Sequence, residues 1–250
     1  MTIKAVIFDL GNTLLYFDGN WPEVFSRANQ GMTDSLVQAG LALDREQFVK
    51  DFRERLDAYH NQREIDFLEL STARILEDTL AAHGFLSVRE KVKMEALAGL
   101  YAASQEFWIP EEDLIPTMEA LQLSGIRMGV ISNAGDDRDV QTLVDKARIR
   151  PYLEYILTSA ASGMRKPDHR IFALGLQFFG LSPMEVVMVG DTLNADILGA
   201  NLMGITSVWI TRRADTANNR AVLEKIKPNA VIETLADLPE LLRSLNNREN

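Results

Sequence analysis

Four short apolar runs punctuate the chain: Ala5-Val6-Ile7-Phe8, Arg127-Met128-Gly129-Val130-Ile131, Tyr155-Ile156-Leu157-Thr158 and Val186-Val187-Met188-Val189. None has a helical period, and such runs predict buried strands. Between the first and second runs the pattern changes to a helical one. Pro22–Ala39 predicts a helix with proline at its start and Gly40 past its end. Asp44–Tyr59 spaces Phe48, Phe52, Leu56 and Tyr59 along one face. Asp66–His83 carries Leu70, Ile75, Leu76 and Leu80. Ser87–Gln105 opens with Ser87-Val88-Arg89-Glu90, the spacing of a capping box. From about Leu114 strands and helices alternate. Asp168–Phe179, Asn194–Met203 and Leu235–Leu245 read as helices, Ile205–Ile210 as a further strand, and the polar end 246–250 as frayed.

Alternating β and α segments predict a parallel sheet covered on both faces. The first strand then belongs with the second half of the chain, and the helical block is an insertion. The expected fold is α/β: a doubly wound, Rossmann-like parallel sheet over 1–17 and 110–250, with an all-helical domain over 18–109 inserted into it.

Composition narrows the functional classes. The chain has 250 residues, 46% hydrophobic and 25% charged, which suits a globular protein with a sizeable core. A formal net charge of −10 argues against nucleic-acid binding, which calls for a basic face. The absence of cysteine excludes disulfides and thiolate metal sites. No segment is apolar enough over a sufficient length to span a bilayer, and no signal-peptide pattern opens the chain, so a cytoplasmic location is the default expectation.

The candidate chemistry lies where the strands end. Asp9 follows the first run within Asp9-Leu10-Gly11-Asn12-Thr13-Leu14. Ser132-Asn133 follow the second. Arg165-Lys166-Pro167-Asp168 come shortly after the third, and Gly190-Asp191, with Asp196 beyond, follow the fourth. Open α/β sheets bind ligands outside the carboxyl ends of their strands. The order and spacing of these four motifs, with the helical insert after the first, resemble the haloacid dehalogenase-like (HAD) hydrolase superfamily, in its helical-cap subfamily I. Most of that superfamily are phosphatases.

The resemblance implies a Mg²⁺-dependent hydrolase acting on a small phosphorylated metabolite. It makes Asp9 the nucleophile and Lys166 the catalytic cation, assigns phosphate contacts to Thr13, Ser132, Asn133 and Lys166, and assigns metal binding to Asp9, the Gly11 carbonyl, Asp191 and Asp196. Asp196 is either a direct ligand or a residue behind the ligands. The helical insert becomes a cap over the site, and the protein a monomer or homodimer that binds neither nucleic acid nor membrane. Arg27, Arg53, Arg63 and Trp108 are candidates to face the cleft; His60, His83 and His169 read as surface or helix residues.

One position departs from the family pattern. Where family phosphatases carry a second aspartate that acts as acid and base, this chain has Gly11. Asp18 is a speculative substitute. Three outcomes fit: a phosphatase that works without this acid, a phosphate-binding regulatory pseudo-phosphatase, or a sister chemistry. The sister chemistries are 2-haloacid dehalogenation, against which the intact Gly190-Asp191 and Asp196 count, and phosphonate hydrolysis, for which the segment around Lys50 is a poor match.

Overall fold

The computed structural model describes residues 2–247. In chain order the elements are β1 (Ala5–Phe8), β2 (Leu15–Phe17), α1 (Trp21–Gln38), α2 (Arg45–Asp66), α3 (Thr72–Ala82), α4 (Glu90–Gln105), β3 (Trp108–Pro110), α5 (Leu114–Leu123), β4 (Arg127–Ser132), α6 (Asp137–Lys146), β5 (Tyr155–Thr158), the single turn α7 (Ser159–Ser162), α8 (His169–Phe179), β6 (Val186–Gly190), α9 (Leu198–Met203), β7 (Thr206–Ile210), α10 (Ala217–Val222), β8 (Ala230–Ile232) and α11 (Leu238–Asn247).

Six strands form one parallel sheet in the order β5-β4-β1-β6-β7-β8. Strand side chains point alternately to opposite faces, and β1 follows this. Val6 and Phe8 pack into the core shared with α5, α6 and α11, whereas Ala5 and Ile7 pack into the core beneath α8 and α9. All four are fully buried, which explains why β1 reads as a continuous apolar run. The sheet is therefore doubly wound, as predicted.

The helical block has a core of its own, built on Met32, Leu36, Phe48, Phe52, Leu76 and Leu80. Two of its start signals are those read from the sequence, Pro22 in the first turn of α1 and Asp44 ahead of α2. Asn20, Asp44 and Ser71 cap α1, α2 and α3 by accepting from backbone amides in the first turn. Two boundaries differ. α2 runs on to Asp66 and stops where Phe67 turns left-handed at φ 55°, so Asp66 ends one helix instead of starting the next. The expected Ser87 capping box is absent: α4 begins at Glu90 without a side-chain cap, because the preceding segment stays outside the helix and lays Val88 onto the helical core.

Three strands went unpredicted. β2 and β3 form an antiparallel pair at the two ends of the helical insert, and β8 closes the sheet edge. α11 reaches Asn247, and Asn246 accepts from the Ile3 amide at 2.7 Å, so this part of the expected frayed tail is helical and tied down. Residues 248–250 lie outside the described residues.

α1 and α4 cross at a pair of glycines. A Cβ on Gly31 would sit 2.4 Å from the Gly99 carbonyl oxygen, and one on Gly99 2.5 Å from that of Gly31. Backbone cannot yield as a flexible side chain does, so Gly31→Ala is expected to push the helices apart. Overpacking of this kind costs about 1–3 kcal/mol; urea unfolding of the variant against wild type measures it.

Candidate active site

Asp9, Ser132 and Asp191 stand at the carboxyl ends of β1, β4 and β6, three neighbouring strands. The Asp9 amide donates to the Val189 carbonyl at 2.9 Å, which extends the β1–β6 ladder to this residue. Lys166 arrives from the loop between α7 and α8. Asn133 holds that loop with both ends of its amide: Oδ1 accepts from the Lys166 amide at 2.8 Å, and Nδ2 donates to the Lys166 carbonyl at 2.9 Å. Its side chain is thereby occupied, leaving its backbone as the part placed for a ligand.

The Lys166 ammonium is buried, with the residue 2% exposed. It donates to Asp9 Oδ1 at 2.6 Å and to the Ile131 carbonyl at 2.7 Å. It also lies 2.7 Å from Asp196 Oδ1, an ion-pair contact without hydrogen-bond alignment. Asp196, on the π-helical turn Leu193–Ile197, accepts from the Thr192 amide through Oδ2 at 3.0 Å. Its carboxyl packs on the Gly190 backbone so closely that a Cβ there would lie 2.3 Å from the carboxyl carbon. Only glycine fits at position 190.

Asp191 accepts from Thr192 Oγ1 at 3.2 Å, and its carbonyl takes hydrogen bonds from Trp209 Nε1 and Asn219 Nδ2, each at 2.8 Å. Asn219 is 3% exposed. No motif announced Asn219 or Trp209 as a support of the site.

Asp9, Asp191 and Asp196 bring carboxylate oxygens within 4.8 Å of one another. One ammonium faces three carboxylates, which leaves two negative charges unbalanced when all are ionised. Burial pushes Asp9 up to about 6 despite the pull of Lys166, and the charge of Asp196 adds to the rise. Burial likewise lifts Asp191 well above the ordinary carboxylate range, with Asp9 and Asp196 contributing. Burial opposes the charge on Lys166, but Asp196 and Asp9 outweigh it and raise its pKa. A divalent cation with oxygen preference would restore the balance.

Above these groups lies a cavity of about 630 Å³, lined by Asp9, Gly11, Trp108, Ser132, Lys166 and Asp191 among others. Gly11 shows why its position carries no side chain. Its φ is not left-handed, and a Cβ there would meet Trp108 Cη2 at 3.3 Å. The indole, delivered by β3, crowds the position and would have to give by a few tenths of an ångström to admit a side chain.

Several sequence expectations are adjusted. Thr13 is fully buried behind the loop, its hydroxyl without a partner, and it does not line the cavity. Asp18 is exposed and away from the cavity, so it is not placed as a substitute acid. Arg27 pairs with Glu106 at 3.0 Å and lines neither this cavity nor the one beside it. Arg63 and Trp108 line both, Arg53 the second. Of the histidines, His83 pairs with Asp51 at 2.9 Å, His169 is exposed, and His60 lies on α2 as a helix residue that lines the second cavity.

A family model described as haloacid dehalogenase-like hydrolase matches residues 3–204. The chain belongs to the haloacid dehalogenase-like hydrolases. It is 28% identical over 243 residues to a glyceraldehyde 3-phosphate phosphatase of Methanothermobacter thermautotrophicus, covering 96% of this chain and all of that one. A ribulose-1,5-bisphosphate 5-phosphatase of Halopiger xanaduensis is 27% identical, with 95% and 98% covered. Among solved structures, a 2-haloacid dehalogenase of Pseudomonas syringae superposes with a TM-score of 0.69 at 23% identity, covering 98% of this chain and all of that one; that likeness concerns the fold.

Asp139, in the first turn of α6, also lines the cavity, and Gln105 Nε2 donates to its Oδ1 at 2.8 Å. Burial pushes its carboxyl up to about 6, against the Gln105 hydrogen bond and with help from the charge of Asp136. A carboxyl raised on folding stabilises the fold below its unfolded pKa and loses that contribution as pH rises through about 6. Asp139→Asn should therefore gain about 1–2 kcal/mol relative to wild type between pH 4 and pH 7, allowing for partial exposure. Thermal melts at both pH values test the sign.

Proposed function

We propose that this hydrolase is a Mg²⁺-dependent phosphatase of small phosphorylated metabolites that works without a second aspartate in its first motif. The observation that carries the reading is the carboxylate surplus at Asp9, Asp191 and Asp196 beside one buried lysine. The phosphatase names of the two full-length relatives support it.

Asp9, Asp191 and the Gly11 carbonyl are the groups that would hold the metal. Asp196, with both oxygens engaged by Lys166 and Thr192, acts behind them. Mg²⁺ bound there would offset the charge between a carboxylate nucleophile and a phosphate dianion. Ser132, the Asn133 amide and Lys166 would receive the phosphate oxygens. One carboxylate oxygen of Asp9 attacks phosphorus, the ester P–O bond breaks, and the leaving oxygen departs with the bond's electron pair. Water then attacks the aspartyl-phosphate, releasing phosphate and restoring the Asp9 carboxylate. The helical block over 18–109 serves as the cap, joined to the core over 1–17 and 110–250 through β2 and β3.

With Gly11 in place, nothing at that position protonates the leaving oxygen. Esters of acidic hydroxyl groups suffer least, because their anions leave without a proton.

Two outcomes are expected. Mg²⁺ with fluoroberyllate should raise the melting temperature of wild type, since a ligand that binds only the native state stabilises it; no shift at saturation would remove the metal–phosphate reading, and chloride release from 2-chloropropionate would then favour the dehalogenase alternative. Asp9→Asn should fold normally and lose turnover by at least about 10³-fold.

Restoring the acid requires room. Gly11→Asp alone should gain less than the double variant, because Trp108 has to shift to admit the side chain. Gly11→Asp combined with Trp108→Ala should raise the rate on sugar phosphates, of order 10²-fold if the carboxylate acts as acid and base. Rates on a sugar phosphate and on 4-nitrophenyl phosphate in both variants measure the difference. Equal effects on the two substrates would mean that protonation of the leaving group is not what Gly11 lacks.

A further inference from the structure

Beside the reaction cavity lies a second one of about 1,260 Å³ between the helical block and the core. Arg63, Trp108, Asn133, Ala134 and Asp139 line both, so the two cavities adjoin. The second chamber has apolar walls at Phe52, Leu56, Leu100 and Val24, with Trp21 and Phe25 at its rim, and charged side chains such as Arg45, Lys50, Arg53, Glu54 and Glu69 line the rest. A three-carbon phosphate ester would leave this space largely to water. Ligand sites lined by apolar and aromatic side chains bind ligands of matching character.

The rim has a further feature. Phe25 and Trp21 stack at 5.2 Å between centroids, Trp21 and Phe17 at 3.7 Å, and Phe17 meets the edge of Trp108 at 5.6 Å. A ladder of four aromatic rings thus runs from the mouth of the chamber to the indole above Gly11. Its outer members, Trp21 and Phe25, are 42% and 47% exposed. Exposed aromatic surface of this kind marks an interaction site, and flat rings stack on it favourably.

We infer that the substrate is a phosphate ester of a flat, apolar hydroxyl compound, an aryl phosphate in chemical terms, with its phosphate beside Asp9 and its ring system in the second chamber. The inference rests on the phosphatase reading and adds the substrate class. Two independent features agree on it. The apolar wall of the chamber offers a surface to a ring, and the glycine at position 11 favours an acidic oxygen, which a phenolic hydroxyl supplies and an aliphatic one does not. The step balances without a further reagent: Asp9 takes the phosphoryl group, the phenolate leaves and takes a proton from water, and a second water releases phosphate.

The test compares three substrates with Mg²⁺: 2-naphthyl phosphate, acetyl phosphate and glyceraldehyde 3-phosphate. Acetyl phosphate has a good leaving group but no ring, so it separates reactivity from binding. 2-Naphthyl phosphate is expected to show a KM at least tenfold below that of acetyl phosphate and a kcat/KM at least 10²-fold above that of glyceraldehyde 3-phosphate. The naphthyl-to-acetyl ratio of kcat/KM should fall at least tenfold in Leu56→Trp, which fills the chamber, and about threefold in Phe25→Ser, an exposed rim position that keeps the test open should the first variant misfold. Calorimetry gives a reading without turnover: naphthylmethylphosphonate should bind at least tenfold more tightly than methylphosphonate. Acetyl phosphate hydrolysed as well as the naphthyl ester, with ratios unmoved in the variants, would overturn the substrate class and leave the phosphatase reading standing. No turnover of any ester and no binding of fluoroberyllate would overturn both.

Discussion

The buried ammonium of Lys166 is the contact on which the site depends. It is held by Asp9, Asp196 and the Ile131 carbonyl, and each holder belongs to a different part of the chain. β1 supplies the first, the turn after β6 the second and β4 the third. A charge this deep is costly unless paired, so the three strand ends are fixed relative to one another by a single electrostatic requirement. The Asn133 clamp on the Lys166 backbone and the lack of any room beside Gly190 serve the same end. They leave the ammonium and the Asp196 carboxylate one place each.

The lysine loop is also where the helical block meets the core. Leu68 and Met164 form an isolated antiparallel bridge, the Glu69 amide donates to the Gly163 carbonyl at 3.0 Å, and the Arg165 amide donates to the Phe67 carbonyl at 3.1 Å. Arg165 pairs with the buried Glu69 carboxylate at 3.4 Å. The Thr72 amide reaches the Gly135 carbonyl at 2.7 Å, beside the Ser132-Asn133 motif. The helical block and the motif loops are thus bonded backbone to backbone, so any movement of the helical block that breaks these bonds must disturb the loop that carries Lys166.

This coupling explains what was legible in the sequence. Motif residues sit at the ends of strongly apolar strands, and apolar runs are a local signal; β1, β4, β5 and β6 and the residues after them could therefore be placed by pattern. The features that went unread are tertiary. β2 and β3 are three residues each and exist because the two ends of the insert meet. The segment 67–71, expected within a helix, is pulled out of it by its bonds to the lysine loop. Ser87 has the right neighbours for a cap, yet packing of Val88 outweighs the local preference. Asn219 supports Asp191 from 28 residues away, a distance at which an isolated asparagine carries no pattern.

Gly11 and Trp108 make the same point for chemistry. Read alone, a glycine at position 11 is a loss: a family acid is missing. In the structure the indole of Trp108 crowds the same position and lines the cavity beside Asp9. The missing acid also bears on charge. A further carboxylate beside Asp9, Asp191 and Asp196 would add repulsion to a cluster in which Asp9 and Asp191 are already held toward their neutral forms by burial and by neighbouring charge. Its absence lightens the demand on Lys166 and on any cation bound there. The indole ring continues an aromatic track toward the larger chamber. A catalytic group is thus given up at the position where an apolar surface is gained, and the two changes favour the same kind of leaving group: one that binds through its ring and departs without a proton.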